Sequence, residues 1–435
     1  MTRAETLAGV VSSLADFDPN ALSVALAREA IEGFITPIDK VEVVPLRRAL
    51  DRVLARDVIS PIDVPAHDNA AMDGWAVRYA DLDADSPKAF EPIGTALAGK
   101  PFTGTVSTNQ AVRIMTGAVM PDGCDTVVIQ ELVATEGKRI ILPPRQQSNQ
   151  PLGQQQHQQQ GQHRRLRGED LSAGKPALSA GRLLGPTELG LLASLGVADI
   201  PVQRRLRVAF FSTGDELRSI GEPLDPGCVY DSNRFTLIGM LTRLGVELID
   251  LGVVPDSPQA LEAAVRDASQ QADAIISSGG VSVGEADYTR DIMNRLGEVA
   301  FWTIAMRPGR PMAFGRIGQA SYFGLPGNPV AVMITFLFFV RDALIRQSGA
   351  TPRPVLPVSV RSTMAIRKKA GRTDYQRAIA QIGKDGVLQA RLTGSQGSGV
   401  LRSMSEANCL LVLRHDQGDI ASGDIVDAML FDGLI

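Results

Sequence analysis

The 435-residue sequence is poor in cysteine, histidine and aromatic residues. Its three cysteines, Cys124, Cys228 and Cys409, stand far apart with no Cys-x-x-Cys pair. Neither a disulfide framework nor a thiolate zinc site is encoded, and a reducing cytoplasm is the expected setting. No charge of one sign dominates: 44 Lys and Arg against 48 Asp and Glu give a formal net charge of −4. That balance argues against a polyanionic partner, so nucleic acid is not expected. Long apolar runs are missing too. The greasiest stretch, Val330 to Val340, is far below the ~20 residues a bilayer needs. The opening MTRAETLAGVVSSLADF breaks its apolar stretch at Ser12, Ser13 and Asp16, so neither a membrane span nor a signal peptide is expected. There is no Gly-x-x-x-x-Gly-Lys-Ser/Thr loop and no Gly-x-Gly-x-x-Gly opening a helix, which weakens NTPase and dinucleotide readings.

Hydrophobic residues make up 44% and charged residues 21%, enough to bury several cores. Length alone suggests about three domains, and texture divides the chain into four parts. Residues 1–60 mix a short helix carrying Leu22, Leu26 and Ile31, a strand Val41 to Val44, and a second helix with Leu46, Leu50 and Val53 at i, i+4, i+7. Residues 61–164 carry short apolar runs such as Arg113 to Met115 and Thr126 to Ile129 between Gly, Pro and Asp, which predicts a β-rich inserted domain. Its last stretch, Gln146 to His163, holds ten glutamines and reads as a mobile surface loop, with His157 and His163 solvated rather than metal-bound.

From 206 to 350 strand and helix alternate: Val208 to Phe211, a helix Asn233 to Leu244, Glu247 to Val254, a helix with Ser257 as N-cap and Pro258 at N1, Ala274 to Ser277, a helix near Asp287 to Leu296, strands around Phe301, Met312 and Tyr322, and a helix opened by Asn328 and Pro329. That order predicts a doubly wound, mostly parallel α/β domain. Residues 351–435 return to short strands, Val355 to Val360, Gln376 to Ala380, Cys409 to Leu413 and Ile425 to Leu430, expected to close a small β-barrel or sandwich. The predicted fold class is therefore multidomain α/β.

In a doubly wound sheet ligands bind beyond the carboxyl ends of the strands. Here those ends run into Ser212-Thr213-Gly214-Asp215-Glu216, Pro255-Asp256, the segment from Ser277 to Asp287, and Gly324-Leu325-Pro326-Gly327-Asn328-Pro329. Gly279, Gly280 and Gly284 let backbone N–H groups face an anion, and Ser277, Ser278 and Ser282 add hydroxyls. Glu216, Asp256 and Asp287 bring carboxylates from three strand ends, as a hard cation such as Mg²⁺ requires; a first-turn helix role is the plainer alternative, strongest for Asp256. Arg307-Pro308-Gly309-Arg310-Pro311 offers two guanidinium forks suited to phosphate or another oxyanion, unless it is a solvated turn. These residues alone point to an enzyme binding an anionic small molecule with a divalent cation.

The strings DNAAMDGWAV, RIMTGAVMPDGCDTVVIQE, RRLRGED, FSTGDEL, VYDSNR, SSGGVSVGEADYT, FWTIAMRPGRP and GLPGNPVA occur in this order. In them the chain resembles the molybdopterin molybdenumtransferases, the MoeA type also seen as the C-terminal part of gephyrin. The resemblance covers nearly the whole chain and implies that 1–60 joins 165–205 in an N-terminal linker domain. It implies an enzyme of molybdenum cofactor synthesis that takes adenylylated molybdopterin and molybdate, releases AMP with Mg²⁺ as cofactor, and works as a homodimer with its cleft shared between subunits. The molybdopterin adenylyltransferase is the implied upstream partner.

By the same resemblance Glu216 and Asp256 hold the cation, Asp287 positions the ligand, and Asp73 and Thr116 act from across the dimer. Ser277, Ser278, Gly279, Gly280, Ser282, Pro326, Gly327 and Asn328 line the substrate site. Arg307 and Arg310 read molybdate or phosphate, and Arg377 and Ser398 come from the barrel. Relatives often carry lysines where Arg307, Arg310 and Thr303 stand, and a serine at Ala331. Two other functions remain as alternatives: a non-catalytic molybdopterin-binding or scaffolding protein, and a molybdopterin adenylyltransferase.

Overall fold

The computed structural model describes residues 6–12, 14, 18–145, 158–281 and 286–434, with the backbone alone for 286–288. The chain divides into two compact units. One comprises Met1–Ala55, Gly181–Pro186 and Asp199–Ile435, the other Arg56–Ala180 and Thr187–Ala198.

The first unit is built on a six-stranded sheet. Its strands are β1 (Arg207–Thr213), β2 (Glu247–Val254), β3 (Ala274–Ser278), β4 (Gly297–Thr303), β5 (Pro311–Ile317) and β6 (Ala320–Leu325), in the spatial order β2-β1-β3-β6-β5-β4. Only β5 runs against the others. Buried on both faces, β1 and β3 are near-continuous apolar runs rather than alternating ones. Val208, Phe210 and Ile276 pack on one side with Leu237, Met240 and Leu241 of α1 (Ser232–Arg243). Ala209, Phe211 and Ile275 face the other side, against Leu261, Val265 and Ala268 of α2 (Pro258–Gln271) and Ile292 and Met293 of α3 (Ala286–Leu296).

Helix starts follow local chemistry. Ser257 caps α2, accepting from Ala260 N at 3.3 Å, with Pro258 next. Asp231 caps α1, accepting from Arg234 N at 3.1 Å. The helix α4 (Pro329–Thr335) continues through one π-helical turn, Phe336–Val340, into Arg341–Gln347.

After residue 350, β7 (Val358–Ser362), β8 (Thr373–Ile382), β9 (Leu388–Leu392), β10 (Cys409–Leu413) and β11 (Ile425–Leu430) pair in the order β8-β9-β7-β11-β10 and back to β8. This is the closed barrel, filled by Val360, Ala378, Leu411, Val426 and their neighbours. A two-residue strand, Met306–Arg307, adds to the start of β8.

The helix expected over 46–53 does not form. Only one 3₁₀ turn, Leu46–Arg48, exists there, because Asp51 takes φ 57° and Val53 and Leu54 bridge to Leu183 and Val202. The preceding strand, Val41–Pro45, pairs antiparallel with Asp199–Gln203.

The second unit holds a curled six-stranded sheet in the order 126–129, 74–77, 110–114, 88–96, 139–142, 134–136. Of the glutamine tract, 146–157, including His157, lie outside the described residues. The rest is not a loose loop. Gln158 is buried and bridges Arg145, Gly161 N donates to Thr126 Oγ1, and His163 O accepts from Ala71 N. Val127 N, on the edge strand 126–129, also donates to Gln162 O at 3.0 Å, a pairing with a backbone donor that composition does not reveal. No helix among the described residues is long and apolar enough to cross a membrane.

Candidate active site

The chain leaves β1 toward β2 on one side and leaves β3 toward β4 on the other, so the sheet has its topological switch point between the carboxyl ends of β1 and β3. A crevice opens at such points in doubly wound sheets. The two ends approach closely here. A Cβ on Gly279 would lie 2.5 Å from Thr213 O, and one on Gly280 would lie 3.2 Å from Thr213 Cγ2; both glycines have positive φ, 99° and 68°.

Asp215, Glu216 and Asp256 stand at the β1 and β2 ends, and among the described residues no group of three or more His, Cys, Asp or Glu is placed to hold a metal ion. Asp256 N donates to Asp215 Oδ1 at 3.2 Å, which ties the loop after β2 to the loop after β1. Glu216 and Asp256 are both exposed. Asp215, which joins the two loops, was not among the candidates; its place in the run Gly-Asp-Glu was the available signal. Ser282 lies outside the described residues, and Asp287 is described only as part of the α3 backbone.

On the β3 and β6 side the serines diverge. Ser277 Oγ is 2.7 Å from Tyr322 Oη, and both residues are buried, so this hydroxyl faces the interior of the sheet packing rather than the crevice. Burial pushes the Tyr322 phenol up to about 12. Ser278 Oγ instead accepts from Asn233 Nδ2 at 2.9 Å, and the same nitrogen donates to Gly327 O at 2.7 Å. Gly279 N donates to Leu325 O, Pro326 is buried, and Asn328 begins α4 without capping it through its side chain, which leaves the exposed carboxamide at the rim.

The barrel meets this rim at the loop that carries Ser398 as well as through the Met306–Arg307 pairing with β8. Ser398 O accepts from Val330 N at 3.0 Å, in the first turn of α4. Arg377, 1% exposed, does not reach into open space. Its guanidinium donates to Ser403 Oγ, Gln396 O, Ser395 O and Gly397 O at 2.9–3.3 Å, so it shapes the segment that presents Ser398. Burial and the neighbouring Arg307 together pull its pKa down to about 10. Arg307 and Arg310 are exposed, and between them Gly309 sits where a Cβ would meet Thr335 Oγ1 at 2.6 Å. The arginine loop is thereby pressed onto α4. Ala331 in that helix is buried, so a serine at this position would point into packed surroundings.

Asp73 and Thr116 belong to the second unit and do meet. Thr116 donates to Asp73 Oδ1 through both its N–H and its hydroxyl, each at 2.7 Å. These bonds, helped by Arg113, hold the Asp73 carboxyl below its ordinary value. The RRLRGED string braces the same region: Arg164 pairs with Asp68, and Arg167 N donates to Asp68 Oδ1 at 2.7 Å.

Known proteins resemble the chain along most of its length. Residues 22–196 match the MoeA N-terminal region (domain I and II), 209–346 a "Probable molybdopterin binding domain", and 359–431 the MoeA C-terminal region (domain IV). The molybdopterin molybdenumtransferase of Haemophilus influenzae is 40% identical over 396 residues, 91% of this chain and 95% of the relative. The chain belongs to the molybdopterin molybdenumtransferase family. The Nostoc member is 38% identical, covering 88% of this chain and 87% of its own. A molybdopterin biosynthesis MoeA protein from Pyrococcus horikoshii superposes with TM-score 0.79 at 28% identity, over 94% of this chain and 100% of that one. As a molybdopterin molybdenumtransferase the chain is an enzyme of molybdenum cofactor biosynthesis, and its mixed α/β fold with a closed C-terminal barrel is that of the family.

Proposed function

We propose that this enzyme takes adenylylated molybdopterin and molybdate, breaks the phosphoanhydride to release AMP, and leaves molybdenum on the dithiolene sulfurs. The observation that carries the proposal is the rim itself: carboxylates at the β1 and β2 ends, glycine backbone at the switch point, and an arginine loop pressed onto α4 beside the barrel.

Glu216 and Asp256 would be the carboxylates that hold a magnesium ion. Both residues are exposed, on loops tied together through Asp215, and Mg²⁺ is commonly held by one or two carboxylates with substrate phosphates completing its shell. When bound there it supplies positive charge to the phosphoanhydride. The protein's own share is then positioning. Backbone at Gly280 and the Asn328 carboxamide hold the phosphate end, while Arg307 and Arg310 hold the molybdate oxyanion so that one of its oxygens meets phosphorus.

In this proposal the enzyme is a cytoplasmic homodimer, with Asp73 and Thr116 serving the partner's site, and the molybdopterin adenylyltransferase supplies its substrate. One mixing experiment tests the cation site and the dimer together. Glu216→Ala and Asp73→Ala are each expected to fold and to lose molybdate-dependent AMP release by on the order of a hundredfold or more. Co-refolded in equal amounts, they regenerate one intact site in each mixed dimer, about a quarter of wild-type activity. Undiminished release by Glu216→Ala removes the cation assignment; no recovery on mixing removes the shared site.

A further inference from the structure

Asn233 occupies the second position of α1, where asparagine is a mediocre helix former. It does not cap the helix, because Asp231 already does so through Arg234 N. Its side chain instead spans the carboxyl edge of the sheet. Nδ2 donates to Ser278 Oγ at 2.9 Å and to Gly327 O at 2.7 Å, partners 45 and 94 residues away in sequence. Gly327 O can only accept, so the amide nitrogen has to face it, and Oδ1 is left buried with no partner. A buried carbonyl oxygen without a donor is unfavourable. The orientation is therefore dictated by the two loops and not by the comfort of the carboxamide.

The two loops that Asn233 joins end β3 and β6, and their glycines pack together: a Cβ on Gly327 would lie 3.9 Å from Gly279 Cα. One amide thus fixes the spacing between the Ser278–Gly280 turn and the turn that presents Asn328. We propose that Asn233 is a positioning residue for molybdopterin binding, acting through Ser278 and Gly327 without touching the ligand. The inference rests on the placement of the substrate at this strand edge, as set out under the proposed function.

The test measures molybdopterin affinity anaerobically on the full-length enzyme. Asn233→Ala removes both donors, and Asn233→Asp turns an acceptor toward Gly327 O. Each is expected to raise the dissociation constant about tenfold, and in turnover to raise KM more than it lowers kcat, in protein that remains folded by circular dichroism. Should both variants fail to fold, Ser278→Ala removes one acceptor without disturbing α1 and is held to the same expectation. Non-additivity is the second signature: once Ser278 is alanine, Asn233→Ala costs less affinity than it does alone.

Gly280→Val, which presses a side chain toward Thr213, is the control for the location of the site. If it weakens binding while the Asn233 variants bind as tightly as wild type, the positioning role is overturned and the site stands. If none of these variants alters binding, molybdopterin sits elsewhere and both conclusions fall.

Discussion

The carbonyl oxygen of Thr213 and the α-carbon of Gly279 approach so closely that a Cβ on Gly279 would stand 2.5 Å from that oxygen. Two parallel strands, β1 and β3, end side by side at this point, and the second turns away with φ 99°. Both the space and the torsion demand glycine. Gly279→Ala is expected to cost about 1–3 kcal/mol of stability, read by urea denaturation, and to weaken molybdopterin binding in the fraction that folds. A variant as stable and as tight as the parent would contradict the close approach.

The Asp73–Thr116 pair has a pH signature. Two bonds from Thr116 lower the Asp73 pKa in the folded protein, so the ionised form contributes stability above the unfolded value of about 3.9. That contribution is lost as pH falls through the lower, folded value. Thr116→Val keeps the backbone N–H and removes the hydroxyl, and is expected to move the carboxyl back up toward its ordinary range. Carboxyl chemical shifts followed through an acid titration measure this directly, and an identical titration curve in the variant would show that the hydroxyl bond is not made in solution.

Sequence pattern revealed those parts of the fold whose causes are local. Ser257 and Pro258 open α2 because a hydroxyl cap and a ring-fixed φ act within one turn. The strand Thr126–Ile129 and the barrel strands β10 and β11 were legible as apolar runs between turn residues. What depended on distant partners was hidden. Nothing near Asn233 indicates that its amide bonds Ser278 and Gly327. Arg377 reads as a ligand-facing charge, whereas the structure turns it onto three carbonyls of the segment it supports. The helical spacing of Leu46, Leu50 and Val53 was overridden by bridges to Leu183 and Val202, which no window of that length contains.

Arg307 and Arg377 are like-charged neighbours, and Arg307 and Arg310 enter no ion pair among the described residues. An oxyanion bound beside Arg307 relieves that repulsion and stabilises the folded state by mass action, about 2.7 kcal/mol at a hundredfold excess over its dissociation constant. Molybdate is therefore expected to raise the melting temperature of the wild type. Arg307→Ala and Arg310→Ala should lose most of that rise and need more molybdate for half-maximal rate. Equal molybdate responses in all three proteins would move the oxyanion away from this loop.

Ser277 and Tyr322 set one serine at the end of β3 apart from its neighbour Ser278, which pairs with Asn233 instead. Their hydroxyls are 2.7 Å apart in a buried pair, whereas the Ser278 hydroxyl lies with Asn233 at the edge. Tyr322→Phe strands the Ser277 hydroxyl and Ser277→Ala strands the phenol, so each is expected to cost about 1–3 kcal/mol. The double variant should cost clearly less than the sum, because neither polar group is then left without its partner. Molybdopterin affinity should change no more in Ser277→Ala than in Tyr322→Phe, since both act on the packing behind the strand. A selective loss of affinity in Ser277→Ala would mean that its hydroxyl leaves Tyr322 and turns to the substrate when the site is filled.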